Sequence, residues 1–275
     1  MCQLCGCSLP GTESVAHGAV SHPLHGGGPE QLAVLTNLLA RNDEAAAHNR
    51  AHFDMYGVLA INFMSSPGAG KTSLLEATIR RLRTQYRISV VEGDLATEND
   101  ARRIRAQGVP AIQITTGNAC HLDATMVHGA LHEIRLADVD LLFIENVGNL
   151  VCPASFDLGH HRDVVLLSVP EGDDKPEKYP VMFRAADLVL ITKAELLEHI
   201  PEFDLQRARG SLQKIASAVP VLELSARRET GMDAWIDWLH AEKLANDSRI
   251  AAREPVIHQH AHAIGAAAEV RAGAD

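Results

Sequence analysis

Residues 57–76 read GVLAINFMSSPGAGKTSLLE, and the architecture can be inferred outward from them. The first part, GVLAINFM, is a nearly continuous apolar run, which is typical of a strand buried on both faces of a parallel sheet. The loop SSPGAGKT, residues 65–72, follows this strand and opens a helix, which is the context that a phosphate-binding P-loop requires. The stretch therefore predicts a nucleotide-binding α/β domain, although Ser65 stands where the P-loop pattern has its first glycine.

The residue types of this loop suit phosphate chemistry. Glycines at 68 and 70 let backbone N–H groups turn onto phosphate oxygens, and the positive end of the following helix points the same way. The Lys71 ammonium would neutralise the β- and γ-phosphates, and the Thr72 hydroxyl would coordinate Mg²⁺. The candidate nucleotide-binding residues of the loop are Gly68, Ala69, Gly70, Lys71, Thr72 and Ser73.

Six more apolar runs are predicted strands: RISVVEGD, AIQITT, DLLFIENV, DVVLLSVP, LVLITK and VPVLELSA. Helical patterns occupy residues 31–52, 72–84, 97–107, 123–136, 205–218 and 232–244. This alternation predicts a doubly wound, mainly parallel α/β sheet of the P-loop NTPase class, similar to a G domain. Ligands of such sheets bind at the carboxyl ends of the strands.

Two other strand ends carry polar residues that belong near the phosphates. Asp94 ends the second strand, and Glu145 and Gly148 follow another. A carboxylate there can hold Mg²⁺ or its waters, and a glycine N–H can contact the γ-phosphate. We therefore predict that Lys71, Asp94 and Glu145 are the catalytic residues of a nucleotide hydrolase.

The segment LVLITKAE lies where GTPases carry the Asn-Lys-x-Asp signature that recognises guanine, with Thr192, Lys193 and Glu195 at the matching positions. A carboxylate at this point accepts two hydrogen bonds that guanine donates and adenine does not. The loop LELSAR would place Ser225 and Ala226 behind the base. These features favour GTP over ATP without excluding ATP.

A second set of candidate metal ligands follows two strands of the same sheet. GNACHLD carries Cys120 and His121, and NLVCPAS carries Cys152. A lone buried cysteine is more often a small core residue, but these three would emerge at the ligand-binding edge and could converge on Zn²⁺ or Ni²⁺. Because Cys152 lies in the loop that follows Glu145, ordering of this loop by nucleotide would move a metal ligand.

The chain begins MCQLCGC, so Cys2, Cys5 and Cys7 form a dense thiol cluster ahead of a Gly/Pro/His-rich stretch. Three thiolates with a nitrogen donor would suit square-planar Ni²⁺, and a reactive cysteine cluster without metal is the alternative. We predict a flexible metal-binding segment and linker at 1–29, a P-loop domain at 30–245 and a C-terminal tail at 246–275. We assign no role to the tail histidines 258, 260 and 262.

Composition excludes several classes of protein. There are 25 Lys and Arg against 35 Asp and Glu, a net charge of −10, and a pI near 5.8. No basic stripe suits nucleic acid, and no apolar run approaches the ~18 residues of a membrane span. We expect a soluble cytoplasmic protein with neither nucleic acid nor membrane as partner.

Taken together, these motifs resemble the hydrogenase nickel-incorporation GTPases, the HypB family. The likeness covers most of the chain, from MCxxCGC through SSPGAGKTSLLE, EGDLATENDA, TGNACHLDA, ENVGNLVCPASFDLG and SVPEGDDKPEKYP to GMDAWIDWL. Thr192 and Glu195 depart from the guanine signature. Ala154 stands where the related urease-maturation GTPases have histidine after Cys-Pro, which argues against a urease assignment.

The resemblance implies a GTPase that dimerises on GTP and helps to deliver Ni²⁺ to the large subunit of [NiFe]-hydrogenase, with an accessory nickel metallochaperone as partner. It implies a nickel site at Cys2, Cys5 and Cys7, and a second metal site, for Ni²⁺ or Zn²⁺, at the dimer interface on Cys120, His121 and Cys152. Leu196 and Ile200 fall where the family packs its dimer helix.

Two hypotheses of other classes remain. A nickel storage protein is suggested by the cysteine cluster and 15 histidines, and would bind many ions per chain. An ATP-dependent kinase is suggested by the P-loop and the imperfect guanine signature, and would bind ATP as readily as GTP.

Overall fold

A computed structural model describes residues 29–95 and 98–255, with side chains from residue 37 onward. The chain divides into two compact units, residues 1–41 and 42–275. Of the first unit, the structure describes residues 29–41, which are helical. The predicted metal-binding residues Cys2, Cys5 and Cys7 lie outside the described residues, as do the three tail histidines.

The centre of the second unit is a sheet of seven strands that all run parallel, in the order β3-β2-β4-β1-β5-β6-β7. This arrangement confirms the predicted doubly wound α/β class. The strands are β1 Leu59–Ser65, β2 Ile88–Asp94, β3 Ala111–Thr115, β4 Leu141–Glu145, β5 Arg162–Ser168, β6 Leu188–Thr192 and β7 Val221–Glu223. Since β1 lies between β4 and β5, the loops that follow these three strands meet at one edge.

Eight α-helices accompany the strands in the described ranges: α1 Pro29–Tyr56, α2 Lys71–Leu82, α3 Asn99–Arg105, α4 Ala124–Leu131, α5 Lys175–Lys178, α6 Pro180–Ala185, α7 Leu205–Ile215 and α8 Met232–Ala252. Six of them lie at predicted helical segments. The short helices α5 and α6 were not predicted. Helix α8 continues beyond the predicted end at residue 244, because Asn246 is buried and its amide donates to the Val58 carbonyl at 3.3 Å. None of the helices within the described ranges is long and apolar enough to cross a lipid bilayer.

The sheet is buried on both faces, as its apolar strands require. Successive side chains of β1 point to opposite faces: Ile61 and Phe63 pack in one core cluster with Trp235 of α8, whereas Ala60 packs in another, on the opposite face. Trp235 is fully buried, and its indole N–H donates to Thr78 Oγ1 at 2.9 Å. This rigid sheet holds the loops at the carboxyl ends of its strands.

Candidate nucleotide and metal sites

The loop between β1 and α2 has the backbone that phosphate binding needs. Gly68 and Gly70 have φ angles of +75° and +98°, a region that residues with a side chain rarely adopt. Gly70 is the N-cap of α2, so the first free N–H groups of that helix face the loop. The Lys71 ammonium is buried and donates to Ser65 Oγ at 3.0 Å. A cationic cradle therefore lies at the end of β1.

The loop borders a cavity of about 440 Å³. Its lining includes most of the predicted nucleotide and catalytic residues: Gly68, Gly70, Lys71, Thr72, Ser73, Asp94, Glu145, Gly148 and Lys193. Arg103 of α3 also lines it and donates to Ser73 Oγ at 3.2 Å, although the sequence analysis did not identify this arginine. The cavity thus combines phosphate-binding cations with carboxylates at one edge of the sheet.

Two buried carboxylates lie at the bottom of this cavity. Glu145 Oε1 accepts a hydrogen bond from Thr72 Oγ1 at 2.9 Å, and Glu92 of β2 lies opposite Glu145 in the strand register. Burial raises the pKa of both groups, and the Glu145 charge raises that of Glu92 further. Within the described ranges, Glu92 Oε1 and Glu145 Oε2 are buried oxygens without a hydrogen-bond partner. Hard oxygen donors of this kind beside a threonine hydroxyl fit Mg²⁺.

Glu92 was missed by the sequence analysis, which selected Asp94 from the same EGD triplet. Asp94 is less buried, and one of its carboxylate oxygens accepts from the Leu95 N–H at 2.6 Å. The available signal was a charged residue inside a buried strand, because glutamate is rarely buried unless it is paired, but its partner Glu145 is identified only by the strand register.

A neighbouring cavity of about 320 Å³ adjoins the residues that were predicted to recognise the base. Ala69, Lys193, Glu195 and Ala226 line it. The Glu195 Oε2 atom is buried, and no described group hydrogen-bonds to it, so it can accept from a ligand. Ser225 does not line either cavity: its hydroxyl accepts from the Arg228 N–H at 3.0 Å and shapes the loop.

Residues 192 and 193 also support the phosphate loop. Thr192 Oγ1 donates to the Ala69 carbonyl at 2.7 Å, and Lys193 Nζ donates to the Gly68 carbonyl at 2.7 Å. The Thr192 hydroxyl therefore links the end of β6 to the phosphate loop. It does so without the side-chain amide that asparagine provides at this position of the guanine-recognition signature.

Cys120, His121 and Cys152 converge as predicted from their strand ends. Their candidate ligand atoms all lie within 4.8 Å of one another, and each residue is half-buried. The two Sγ atoms are 3.0 Å apart, and Cys120 Sγ is 3.7 Å from His121 Nδ1. Both cysteines are free thiols. Two thiols and an imidazole form the donor set that a borderline divalent ion prefers.

The surroundings of this thiol–imidazole cluster tune its donors. Burial lowers the pKa of His121, which keeps the imidazole neutral, and the ring stacks on Phe156 with centroids 3.9 Å apart. Burial and the adjacent Cys120 raise the pKa of the Cys152 thiol. A dication would reverse that effect, because a coordinating thiol is deprotonated. Val151, next to Cys152, is 59% exposed.

One asparagine joins the cluster to the phosphate loop. The Asn149 N–H donates to the Ser65 carbonyl at 2.8 Å, and its side-chain amide donates to the Cys120 carbonyl at 3.3 Å. Next to it, Gly148 packs so closely that an added Cβ would lie 2.8 Å from Pro67 Cα. Asn149 was not among the site residues predicted from the sequence, although it lies in the stretch ENVGN.

The segment that contains Leu196 and Ile200 is not an α-helix in this chain. A 3₁₀ helix spans Ala194–Leu196, and a turn follows it. Both side chains pack in part against the core under β5 and β6.

Comparison with known proteins places these sites in context. Residues 59–223 match the family model for the nucleotide-binding domain of CobW, HypB and UreG. The hydrogenase maturation factor HypB of Azotobacter vinelandii is 46% identical over 86% of this chain and 76% of its own length. That of Rhizobium leguminosarum is 50% identical over 80% and 74%. The crystal structure of HypB from Helicobacter pylori in complex with nickel is similar at 43% identity and a TM-score of 0.72, over 75% of this chain and 96% of that one.

Proposed function

Because the chain belongs to the HypB family within the CobW/HypB/UreG nucleotide-binding proteins, we propose that it is a GTP-hydrolysing metallochaperone for nickel. It assists insertion of Ni²⁺ into [NiFe]-hydrogenase during maturation. The observation that carries this proposal is the contact of Asn149 with both the phosphate loop and the thiol–imidazole cluster. The chain thus has a physical link between nucleotide state and metal site.

The nucleotide binds across the two cavities in this proposal. Backbone N–H groups at Gly68 and Gly70 hold the phosphates, and Lys71 neutralises their charge. Thr72 and Glu145 would hold Mg²⁺, which would supply neutralisation of the phosphate charge. The Glu195 carboxylate, whose Oε2 has no partner among the described groups, accepts from the guanine N1–H and 2-amino groups.

Hydrolysis then requires a positioned water. Its oxygen bonds to the γ-phosphorus while the bond to the β–γ bridging oxygen breaks, and one proton of the water passes to a phosphate oxygen, which leaves GDP and inorganic phosphate. Lys71 and the Gly148 N–H stabilise the charge on the transferred group, and Asp94 orients the water. The reaction serves as a switch, because loss of the γ-phosphate releases the loop that carries Gly148 and Cys152.

Nickel is the cargo of this switch. Cys120, His121 and Cys152 bind Ni²⁺, and can also accept Zn²⁺, while Cys2, Cys5 and Cys7 form a separate nickel site.

Three ligands from one chain leave a coordination position for a second subunit. Val151, next to Cys152, is exposed, so this loop is accessible to such a partner. We propose that GTP promotes a homodimer at this surface, and that an accessory nickel metallochaperone and the hydrogenase large subunit are the further partners.

The test is Ni²⁺ titration of the full chain with GDP and with a non-hydrolysable GTP analogue. One site should change affinity by about 5-fold or more between the two nucleotides, and that response should disappear in Cys152→Ala. The Cys2→Ala variant should lose the other site and keep the response. Equal Ni²⁺ affinity of every wild-type site with both nucleotides would refute the switch, and ATP competing as well as GTP would refute the guanine assignment.

A further inference from the structure

Four histidines meet between helices α1 and α4, apart from the thiol–imidazole cluster. His48 and His52 are four residues apart on α1, and His128 and His132 are four apart on α4 and at its C-cap. Residues with this spacing lie on the same face of a helix. The rings of His48 and His128 are neighbours, so the two pairs form one group, which we name the α1–α4 histidine cluster.

The separation of the His48 and His52 nitrogens matches that of two imidazoles that share one ion. The Nε2 atoms of His48 and His52 are 2.9 Å apart. Two nitrogens at about 2.0–2.1 Å from one metal are separated by roughly 2.9 Å at a right angle and about 3.4 Å at a tetrahedral angle. Ring centroids lie 4.5 Å apart for His48 and His52, and 4.9 Å apart for His48 and His128. The same geometry predicts centroids about 4.5–5.2 Å apart.

The tautomer of His128 is fixed by a buried asparagine. Asn49 is fully buried, and its amide nitrogen donates to the carbonyls of Ala124 and Leu158 at 2.8 and 3.0 Å. Its Oδ1 therefore faces His128 Nδ1, 3.0 Å away, and accepts the proton of that nitrogen. This leaves the Nε2 lone pair of His128 available. A hydrogen bond to the second ring nitrogen is how proteins orient histidine ligands of metals.

The burial and the charge state of these histidines also suit metal binding. Burial and the neighbouring histidines lower the pKa of His128 to about 4, and burial also lowers that of His52, so both rings are neutral. His128 is nearly buried, His48 and His52 are half-buried, and His132 is exposed. Neutral, partly buried imidazoles with an exposed one beside them give an ion both ligands and a route of entry.

We propose that the α1–α4 histidine cluster binds one divalent transition-metal ion of the Ni²⁺ and Zn²⁺ class. His48 and His52 provide the primary chelate, His128 adds a third imidazole, and the exposed His132 adds a fourth. The ring centroids of His52 and His128 are 6.0 Å apart, and no three of these histidines have ligand nitrogens all within 4.8 Å of one another, so the rings move inward when the third ligand binds. With nitrogen donors alone, the site differs in chemistry from the thiol–imidazole cluster and goes beyond the nickel sites of the proposed function.

The experiment is equilibrium dialysis of the full chain against Ni²⁺ and, separately, Zn²⁺. The variants are His48→Gln/His52→Gln and His132→Gln, and His199→Gln is a matched control that removes an exposed histidine elsewhere. We expect the double variant to lose one bound equivalent, His132→Gln to weaken that equivalent by about 10-fold, and the control to match wild type. Because His132 is exposed, its variant tests the site even if the double variant does not fold.

Absorption spectra of bound Co²⁺ distinguish an ion held by these imidazoles from an ion held by thiolates. The difference spectrum between wild type and His48→Gln/His52→Gln should contain d–d bands without sulfur-to-cobalt charge transfer. The Cys120→Ser/Cys152→Ser variant should retain those bands. Unchanged equivalents and affinities in both folded histidine variants would overturn the proposal, as would sulfur-to-cobalt charge transfer in the difference spectrum.

Discussion

Replacement of Asn149 by alanine should uncouple the metal site from the nucleotide. The Asn149 side chain donates to the Cys120 carbonyl and accepts from the Val151 N–H at 2.8 Å. Both bonds are lost in Asn149→Ala. The backbone N–H of residue 149 still reaches the Ser65 carbonyl, so the phosphate loop keeps its own contact. The substitution therefore removes the connection and keeps the three ligand side chains, and it also removes the hydrogen bond by which Asn149 lowers the pKa of the Cys152 thiol.

The size of the effect follows from these two hydrogen bonds. Each contributes a net ~0.5–1.5 kcal/mol, and the 3.3 Å bond to Cys120 belongs at the low end of that range. A loss of about 1–2 kcal/mol of coupling free energy corresponds to roughly a 5- to 30-fold change in an equilibrium ratio. The ratio of Ni²⁺ dissociation constants with GDP and with a GTP analogue should move toward unity by that factor.

Calorimetric titration measures Ni²⁺ affinity with GDP and with the GTP analogue. It also measures the affinity for each nucleotide with and without Ni²⁺. Linkage requires that metal change nucleotide affinity by the same factor as nucleotide changes metal affinity. Gln206→Ala, which removes an exposed amide on α7, is the control and should behave as wild type. If Asn149→Ala kept the full wild-type ratio, the coupling would not pass through this side chain and the reasoning would be wrong.

Three further changes test the nucleotide site. Gly148→Ala places a Cβ 2.8 Å from the Pro67 backbone, so nucleotide affinity should fall in a binding assay, whereas Gly210→Ala, with open space around it, should leave affinity unchanged. Glu92→Gln should stabilise the protein without Mg²⁺ at high pH. Burial and the adjacent carboxylate raise the Glu92 pKa, so wild type loses stability relative to the variant as pH rises above about 4.5, by up to about 1.4 kcal/mol per pH unit in urea unfolding. Glu195→Ala should weaken GTP by about 1.5–3 kcal/mol while ATP binding stays constant, as measured by competition.

The sheet and the phosphate loop could be predicted because their signals are local. Continuous apolar runs marked the strands, and the spacing of Gly68, Gly70 and Lys71 marked the loop. The convergence of Cys120 with Cys152 was also predictable, since both residues follow strands whose carboxyl ends share an edge.

The features that could not be predicted from the sequence depend on contacts between segments that are far apart in the chain. Glu92 looked like an interior position of a strand until the register placed it beside Glu145. Helix α8 extends past residue 244 because Asn246 reaches Val58, which no periodicity indicates. The α1–α4 histidine cluster forms only when two helices that are far apart in sequence pack together.

The spacing of the two thiols bears on which ion the proposed switch carries. Sulfurs at about 2.3 Å from one metal lie roughly 3.8 Å apart at a tetrahedral angle and about 3.3 Å apart at a right angle. The observed separation of Cys120 and Cys152 is 3.0 Å, so a square-planar ion requires less spreading than a tetrahedral one. Spreading moves the loop that Asn149 ties to Ser65. A tetrahedral ion would therefore displace this loop more than a square-planar ion such as Ni²⁺, which supports the proposal that nickel is the ion whose affinity responds to the nucleotide.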